Sequence, residues 1–239
     1  MTAFSFEVPH NHLEDFADLQ DFFFTLSMHT ERLDYFLFHR WQVLHSPKQV
    51  WLDNSYNELK EPEEVYSLIN KARNLGAHKI IVPDNPTWNE EQIFSRFRTA
   101  REYLDDTQLI VVVNSQKMRA YMLERQVQKL ALSYHIRLPY YKAGGLYRDF
   151  AWAKYAHFLG MTSVAELQEI KPLTCDTSMP IKIALRGQTL KGWIEQGCPH
   201  IHTAGYLDFF EVRMTEEEIE LARQNIKTLK RMVNGGDDE

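Results

Sequence analysis

Short apolar runs alternate with amphipathic helical patterns along most of this chain, and that alternation constrains the fold more than any other feature. The runs FSFEV (4–8), QVWLD (49–53), HKIIVPD (78–84), TQLIVVVN (107–114), HIRLPY (135–140), HFLGM (157–161) and PLTCD (172–176) read as strands. Between them lie helical patterns at 12–26, 31–41, 62–76, 89–104, 115–134, 146–156, 163–170 and 179–187, with Pro62 at a helix start and Gly76 at its end. About seven β–α alternations with short connections favour a parallel sheet with helices outside it. At 239 residues, an α/β (β/α)8-type (TIM) barrel is an ordinary solution, with room for irregularity. An open doubly wound sheet fits the alternation nearly as well, but no GxGxxG follows the first strand.

No repeat, low-complexity tract or linker interrupts the pattern, so 1–239 reads as one domain. Residues 4–187 form the barrel core, and 188–239 form a C-terminal extension. That extension ends in a helix opened by a Thr215/Glu218 capping box and stopped at Gly235. The N-terminus lacks a basic and apolar leader, and no run is long enough to cross a bilayer. The expectation is a cytoplasmic protein without a membrane partner. Two cysteines, Cys175 and Cys198, give no disulfide framework.

The formal net charge of −6 excludes an indiscriminate nucleic-acid binder. The stretch Ser115–Lys154 nevertheless carries eight Lys/Arg against two acidic residues, a local charge of +6. It is either a basic contact surface or a solvated helix face.

Three strands end in aspartate: Asp53, Asp84 and Asp176. In a barrel of this kind strand C-termini build the active face, so the three carboxylates would share one mouth. Each could equally be the N-cap of the helix that follows. Composition and periodicity reach a barrel with an acidic mouth and go no further.

The words LDNSYNEL (52–59), IVPDNPTWN (81–89), VVVNSQ (111–116) and HFLGMTSVAELQEIKPLTCDTSMPIKIALRG (157–187), in this order and spacing, resemble the tRNA-guanine transglycosylase superfamily. They are closest to its shorter phage-type relatives linked to 7-deazaguanine modification of DNA. The resemblance spans about residues 4–187. It implies base exchange: the N-glycosidic bond of a guanine in a polynucleotide is cut, the sugar is held covalently, and a free 7-deazaguanine is installed. It casts Asp176 as the nucleophile on C1′ and Asp53 as the acid/base for the ring-nitrogen proton. Asp84 becomes the carboxylate that binds the purine's Watson–Crick edge. Asn54 and Asn114 stand where the family has polar base-binding residues, although Gln is usual at the position of Asn114. Gly144 and Gly145 fall near a glycine that lines the base.

This casting is chemically coherent. A purine leaves through an oxocarbenium-like transition state, as in retaining glycoside hydrolysis, with one carboxylate as nucleophile and another moving the proton. A base inside a duplex is unreachable, so the target is single-stranded or flipped out. In the loop RLPYYKAGGLYR (137–148), Arg137, Lys142 and Arg148 interleave with Tyr140, Tyr141 and Tyr147, residue types that meet phosphates and stack on unpaired bases. A Tyr-rich surface loop with incidental charges is the alternative.

The tRNA enzymes also carry a zinc subdomain with three cysteines and a histidine. Here only Cys198, His200 and His202 stand in that region, too few for a closed structural site, so no metal and no other cofactor is expected. Loss of that subdomain favours DNA over tRNA as the polynucleotide partner, beside the free base. Homodimers occur in the family. His157 is expected to pack at a strand end. Glu58 either supports Asp53 or is a solvated carboxylate. The readings to separate from base exchange are a base-removing N-glycosylase, a nucleoside-level transferase, and a catalytically inactive barrel that binds nucleic acid or protein.

Overall fold

The structure is a computed structural model that describes residues 1–133, 151–161, 163–198 and 206–235. Eight strands form one parallel sheet: β1 (Ala3–Phe6), β2 (Phe23–Leu26), β3 (Val50–Asp53), β4 (Lys79–Ile81), β5 (Leu109–Val112), β6 (Leu130–Ser133), β7 (His157–Leu159) and β8 (Thr174–Thr177). Their order is β1-β8-β7-β6-β5-β4-β3-β2. Helices alternate with these strands: α1 (Leu33–His45), the one-turn α2 (Tyr56–Leu59), α3 (Val65–Leu75), α4 (Glu90–Arg101), α5 (Gln116–Glu124), α6 (Val164–Ile170) and α7 (Met179–Ala184). After them come α8 (Leu190–Glu195), α9 (Tyr206–Glu211) and α10 (Glu216–Asn234). This is the α/β TIM-barrel class with a C-terminal helix, as the alternation predicts.

The chain divides into two compact units, Phe22–Leu159 and Met1–Asp21 with Gly160–Glu239. In the first, β2 to β7 pair in sequence order. Strands buried on both faces need continuous apolar runs, and Val50, Trp51 and Leu52 of β3 are all buried. Helix α3 lays Val65, Leu68, Ile69, Ala72 and Leu75 inward at helical spacing. Gly76 ends it at φ +77°, its N–H and that of Ala77 both reaching Ala72 O. The positive φ is what favours glycine there, and a Cβ would also push against the end of the Arg40 side chain.

In the second unit, β1 pairs with β8 on one side. Its other backbone groups are met by the chain just after it. Phe6 N–H donates to Gln20 Oε1 (2.6 Å) and Gln20 Nε2 returns a bond to Phe6 O (3.0 Å). Phe4 N–H donates to Asp21 Oδ2 (2.8 Å) and Asp21 N–H to Phe4 O (2.8 Å). Side-chain amide and carboxylate thus stand in for a neighbouring strand. Helix α10 binds the unit together: Asn234 brackets both backbone groups of Thr2, and Arg223 forms a two-pronged pair with Asp18. Buried Asn225 holds Leu190 N, Pro180 O and Gln188 O. The predicted capping box is present, with Thr215 and Glu218 exchanging bonds of 2.8 and 3.2 Å.

Four sequence expectations need correction. Residues 12–26 are not a helix: two 3-10 turns, His10–His12 and Glu14–Leu19, lead into β2. The run Phe22–Leu26 satisfies helical spacing only because every position in it is apolar or buried, which a strand covered on both faces also demands. That run supplies the eighth strand. Pro62 does not start α3, whose N-cap is Glu64. The helix expected over 115–134 stops at Glu124, near Gln126 at φ +63°, and Leu130–Ser133 is β6. Of the helix expected at 146–156, Ala151–Tyr155 is a 3-10 turn. The expected strand 135–140 lies outside the described residues.

Candidate active site

The Asp-Asn-Ser motif is a compact backbone device at the end of β3. Asp53 is its last residue, and one carboxylate oxygen accepts from Ser55 N–H at 2.9 Å. Asn54 Oδ1 accepts from Tyr56 N–H at 2.9 Å. These two side-chain turns overlap and hold Ser55 in the left-handed region at φ 54°. Ser55 Oγ, fully buried, then receives Ser27 Oγ (3.1 Å) and Met28 N–H (3.2 Å), tying the turn to the end of β2. The carboxylate of Asp53 is aimed by its own chain.

Asp84 follows β4 in the same unit. Asn54 Nδ2 donates to Asp84 Oδ1 at 2.8 Å and to Val82 O at 3.0 Å, so both amide hydrogens are engaged. Asn54, expected as a base contact, holds Asp84 in place, with one lone pair of Oδ1 left over. Burial pushes the Asp84 carboxyl up from 3.8 to about 6, against the downward pull of the Asn54 amide and its own backbone N–H. No described lysine, arginine or histidine pairs with it. Asn114, after β5, is partly exposed and donates to Pro86 O at 3.4 Å, tying its strand end to the loop after Asp84.

Asp176, the third residue of β8, belongs to the other unit. It is 2% exposed, and both carboxylate oxygens stand 3.1 Å from Gly160 N–H. Gly160 sits at φ +63°, and Met161 N–H continues the clasp to Asp176 O at 2.9 Å. The positive φ is what favours the glycine of HFLG, and at that backbone angle its amide faces the carboxylate.

The N-cap alternative can now be judged position by position. Helix α4 is capped by Asn89 in a box with Gln92, while Asp84 takes the Asn54 amide. Helix α7 has Ser178 at its N-cap, and Met179 N–H bonds Thr177 Oγ1 (3.0 Å), while Asp176 takes Gly160. Asp53 alone behaves in a cap-like way, through Ser55 N–H.

His157 is buried at the start of β7 among Phe22, Phe24 and Trp51, with ring centroids 5.2–5.9 Å away, as packing at a strand end requires. The described cations of the basic stretch are engaged locally: Lys117 with Glu90 (3.1 Å), Arg119 over Trp152, Arg125 over Tyr121 and Phe94. For these the solvated helix face is the better description. Arg137, Tyr140, Tyr141, Lys142, Gly144, Gly145, Tyr147 and Arg148 lie outside the described residues, as do His200, His202 and the side chain of Glu58. Cys198 is exposed, and among the described residues no three His, Cys, Asp or Glu gather as metal ligands would. Among them, too, no helix is long and apolar enough to cross a membrane.

Comparison with known proteins places the architecture. KGPDC from Streptococcus mutans superposes with a TM-score of 0.56 at 10% identity, covering 98% of this chain and 100% of that one. A protein from Aquifex aeolicus gives 0.55 at 12% identity, covering 97% and 93%. Phosphoribosylanthranilate isomerase from Thermotoga maritima gives 0.51 at 10% identity, covering 99% and 100%. At such identities the likeness is one of fold: this chain is an α/β protein of the TIM-barrel class. No protein-family model matches it, and no curated protein does.

Proposed function

We propose that this chain is an enzyme, a pentosyltransferase that exchanges guanine in a polynucleotide, DNA in preference to tRNA, for a free 7-deazaguanine. One Asp176 oxygen attacks C1′ as the glycosidic C–N bond breaks, and the bonding pair leaves with the purine, which takes a proton handled by Asp53. The sugar stays bound to Asp176 as an ester. Asp53 then removes the ring-nitrogen proton of the incoming base, whose nitrogen attacks C1′ and expels the Asp176 carboxylate. One base leaves and one enters, with no redox change and no cofactor.

The observation that carries this reading is Asp84: a buried carboxylate with no cation beside it among the described residues, held by the Asn54 amide and its own backbone N–H, its pKa pushed up to about 6 by burial. Roughly nine-tenths of it is ionised at pH 7. A desolvated anion supported by neutral amide donors suits a ligand that brings its own N–H donors, as the guanine edge does. Asp176 lends support from its own unit, because a carboxylate fixed by a backbone amide is preorganised for in-line attack.

The test is incubation of the protein with labelled guanine and either a single-stranded DNA oligonucleotide or tRNA. Incorporation into DNA is expected. Base release without incorporation would make the enzyme a hydrolase, and inertness toward both polymers would leave a binding protein.

A further inference from the structure

In the Phe22–Leu159 unit, the end of the sheet remote from Asp53 and Asp84 carries two lysines that the proposed chemistry does not use. Lys79 is the first residue of β4 and pairs in register with Trp51, so the two side chains share one face of the sheet. Lys129 stands just before β6, its carbonyl bonded to Val111 N–H (3.0 Å), and the register through Ile81 and Ile110 puts it on that same face. There the sheet curls over itself: Trp51 meets His157 of β7, four strands away, with 5.2 Å between ring centroids. Lys79 is half-buried, with Nζ 4.0 Å from the centre of the Trp51 ring, and Lys129 Nζ reaches Thr107 O. Among the described residues neither ammonium has a carboxylate partner. Burial and the neighbouring Lys129 charge push Lys79 down to about 8, and burial lowers Lys129 as well. About one Lys79 amine in ten is therefore neutral at pH 7, against about one in 2,500 for an ordinary lysine. A desolvated amine beside a second cation is the setting that makes lysine a nucleophile.

We propose that Lys79 is a carbon dioxide site, whose amine, seated over Trp51, forms an N-carboxylate (a carbamate) that Lys129 holds by charge. The Nζ lone pair attacks the carbon of carbon dioxide. An N–C bond forms as one C=O bonding pair moves onto oxygen, and the amine loses a proton to water. Nothing is oxidised or reduced, and protonation of the nitrogen reverses the step. The modification replaces a cation that faces Lys129 with an anion that faces it, so two like charges without carboxylates become an ion pair. One strand separates β4 from β6, a gap of about 10 Å between strand axes, which two lysine stems can close once one of them is lengthened by a carboxylate. The product also selects the electrophile. A neutral acyl group would remove the repulsion but leave Lys129 without a partner, whereas the carbamate supplies the negative charge that this face lacks. A free anion seated between the two ammonium groups is the competing occupant, and it leaves no covalent mark.

Chemical trapping on the full chain tests the proposal, with a readout independent of base exchange. The protein is equilibrated with isotopically labelled bicarbonate, the source of dissolved carbon dioxide. Triethyloxonium then converts carbamates to stable ethyl esters, and peptide mass spectrometry locates them, separating lysines from the N-terminal amine. In the wild type the Lys79 ester is expected at least about tenfold above that on any other described lysine. Lys129→Met should cut it at least about fivefold, because it removes the charge that both depresses the amine and holds the product. Lys129→Arg should retain it, with the circular-dichroism spectrum of both variants unchanged. A Lys79 ester no more abundant than that on exposed Lys227 overturns the proposal, including the case in which the two lysines hold a free anion. A Lys79 ester that Lys129→Met leaves undiminished overturns it as well.

Discussion

Asp84 and Asp176 are both nearly inaccessible carboxylates near strand ends, yet they are held in opposite ways. Asp84 rests on a side-chain amide in a desolvated place that raises its pKa to about 6. Asp176 is clasped by backbone of its own unit, with the Gly160 amide against both of its oxygens. A backbone amide supports an anion permanently and fixes its direction, which suits a nucleophile that must be ionised and aimed before substrate arrives. Neutral amides in a desolvated setting leave an anion underserved, which suits a group that completes its shell with the donors of a ligand. Environment thus sets apart two chemically identical groups, as the proposed roles require.

The contrast breaks first if Asp176 proves dispensable. Asp176→Ala should lower exchange on the order of 10⁴-fold or more and abolish the denaturant-stable protein–DNA adduct that the proposed mechanism expects on gel electrophoresis, while the fold is kept. An adduct that persists would move the nucleophile elsewhere.

Asp84→Asn sharpens it from the other side. The folded-state pKa lies above the unfolded value of 3.8, so the ionised carboxylate costs stability at neutral pH, up to about 3 kcal/mol for a shift of roughly two units. That cost fades as pH falls through 6 and is absent below about pH 4. Asp84→Asn should therefore raise the melting temperature at pH 8 and leave it nearly unchanged at pH 4, while base binding weakens about a hundredfold or more at pH 7. In the wild type, KM for the free base should rise about tenfold per pH unit below 6, read from initial rates between pH 5 and 8. Equal melting temperatures for the two proteins at pH 8 would show that Asp84 is not a strained anion.

Ser55→Ala should have the smallest effect, about 1 kcal/mol in urea unfolding with a several-fold fall in kcat. It removes the Ser27 and Met28 bonds while sparing the N–H that aims Asp53.

Much of this was legible in the chain. Strong β–α periodicity announced the fold class, and local chemistry announced Gly76 and the Thr215/Glu218 box, because caps depend on residues within one turn. The missed strand β2 and the overlong helix before β6 failed for one reason: periodicity cannot tell a fully buried strand from a buried helix. The strand pattern placed Asp53, Asp84 and Asp176 at or near strand ends, but the burial of Asp84 and the commitment of both Asn54 hydrogens depend on residues 28 and 30 positions apart. The Gln20 and Asp21 pairing of β1 and the inverted face of α1 carried no sequence signal that periodicity could read. Helical spacing in α1 gives two candidate faces and does not say which one the sheet will take.

By itself, the order of residues determined which segments become strands and helices in most of the chain, where several helices stop, and which carboxylates stand at strand ends, because these follow from short-range sterics and hydrogen bonding. Only the tertiary structure decided that one carboxylate is desolvated to a pKa near 6, that another is clasped by the Gly160 amide, and that α1 turns its leucines and tryptophan to solvent. Those outcomes depend on how much water each group loses and which distant backbone faces it, quantities that exist only once the chain has packed.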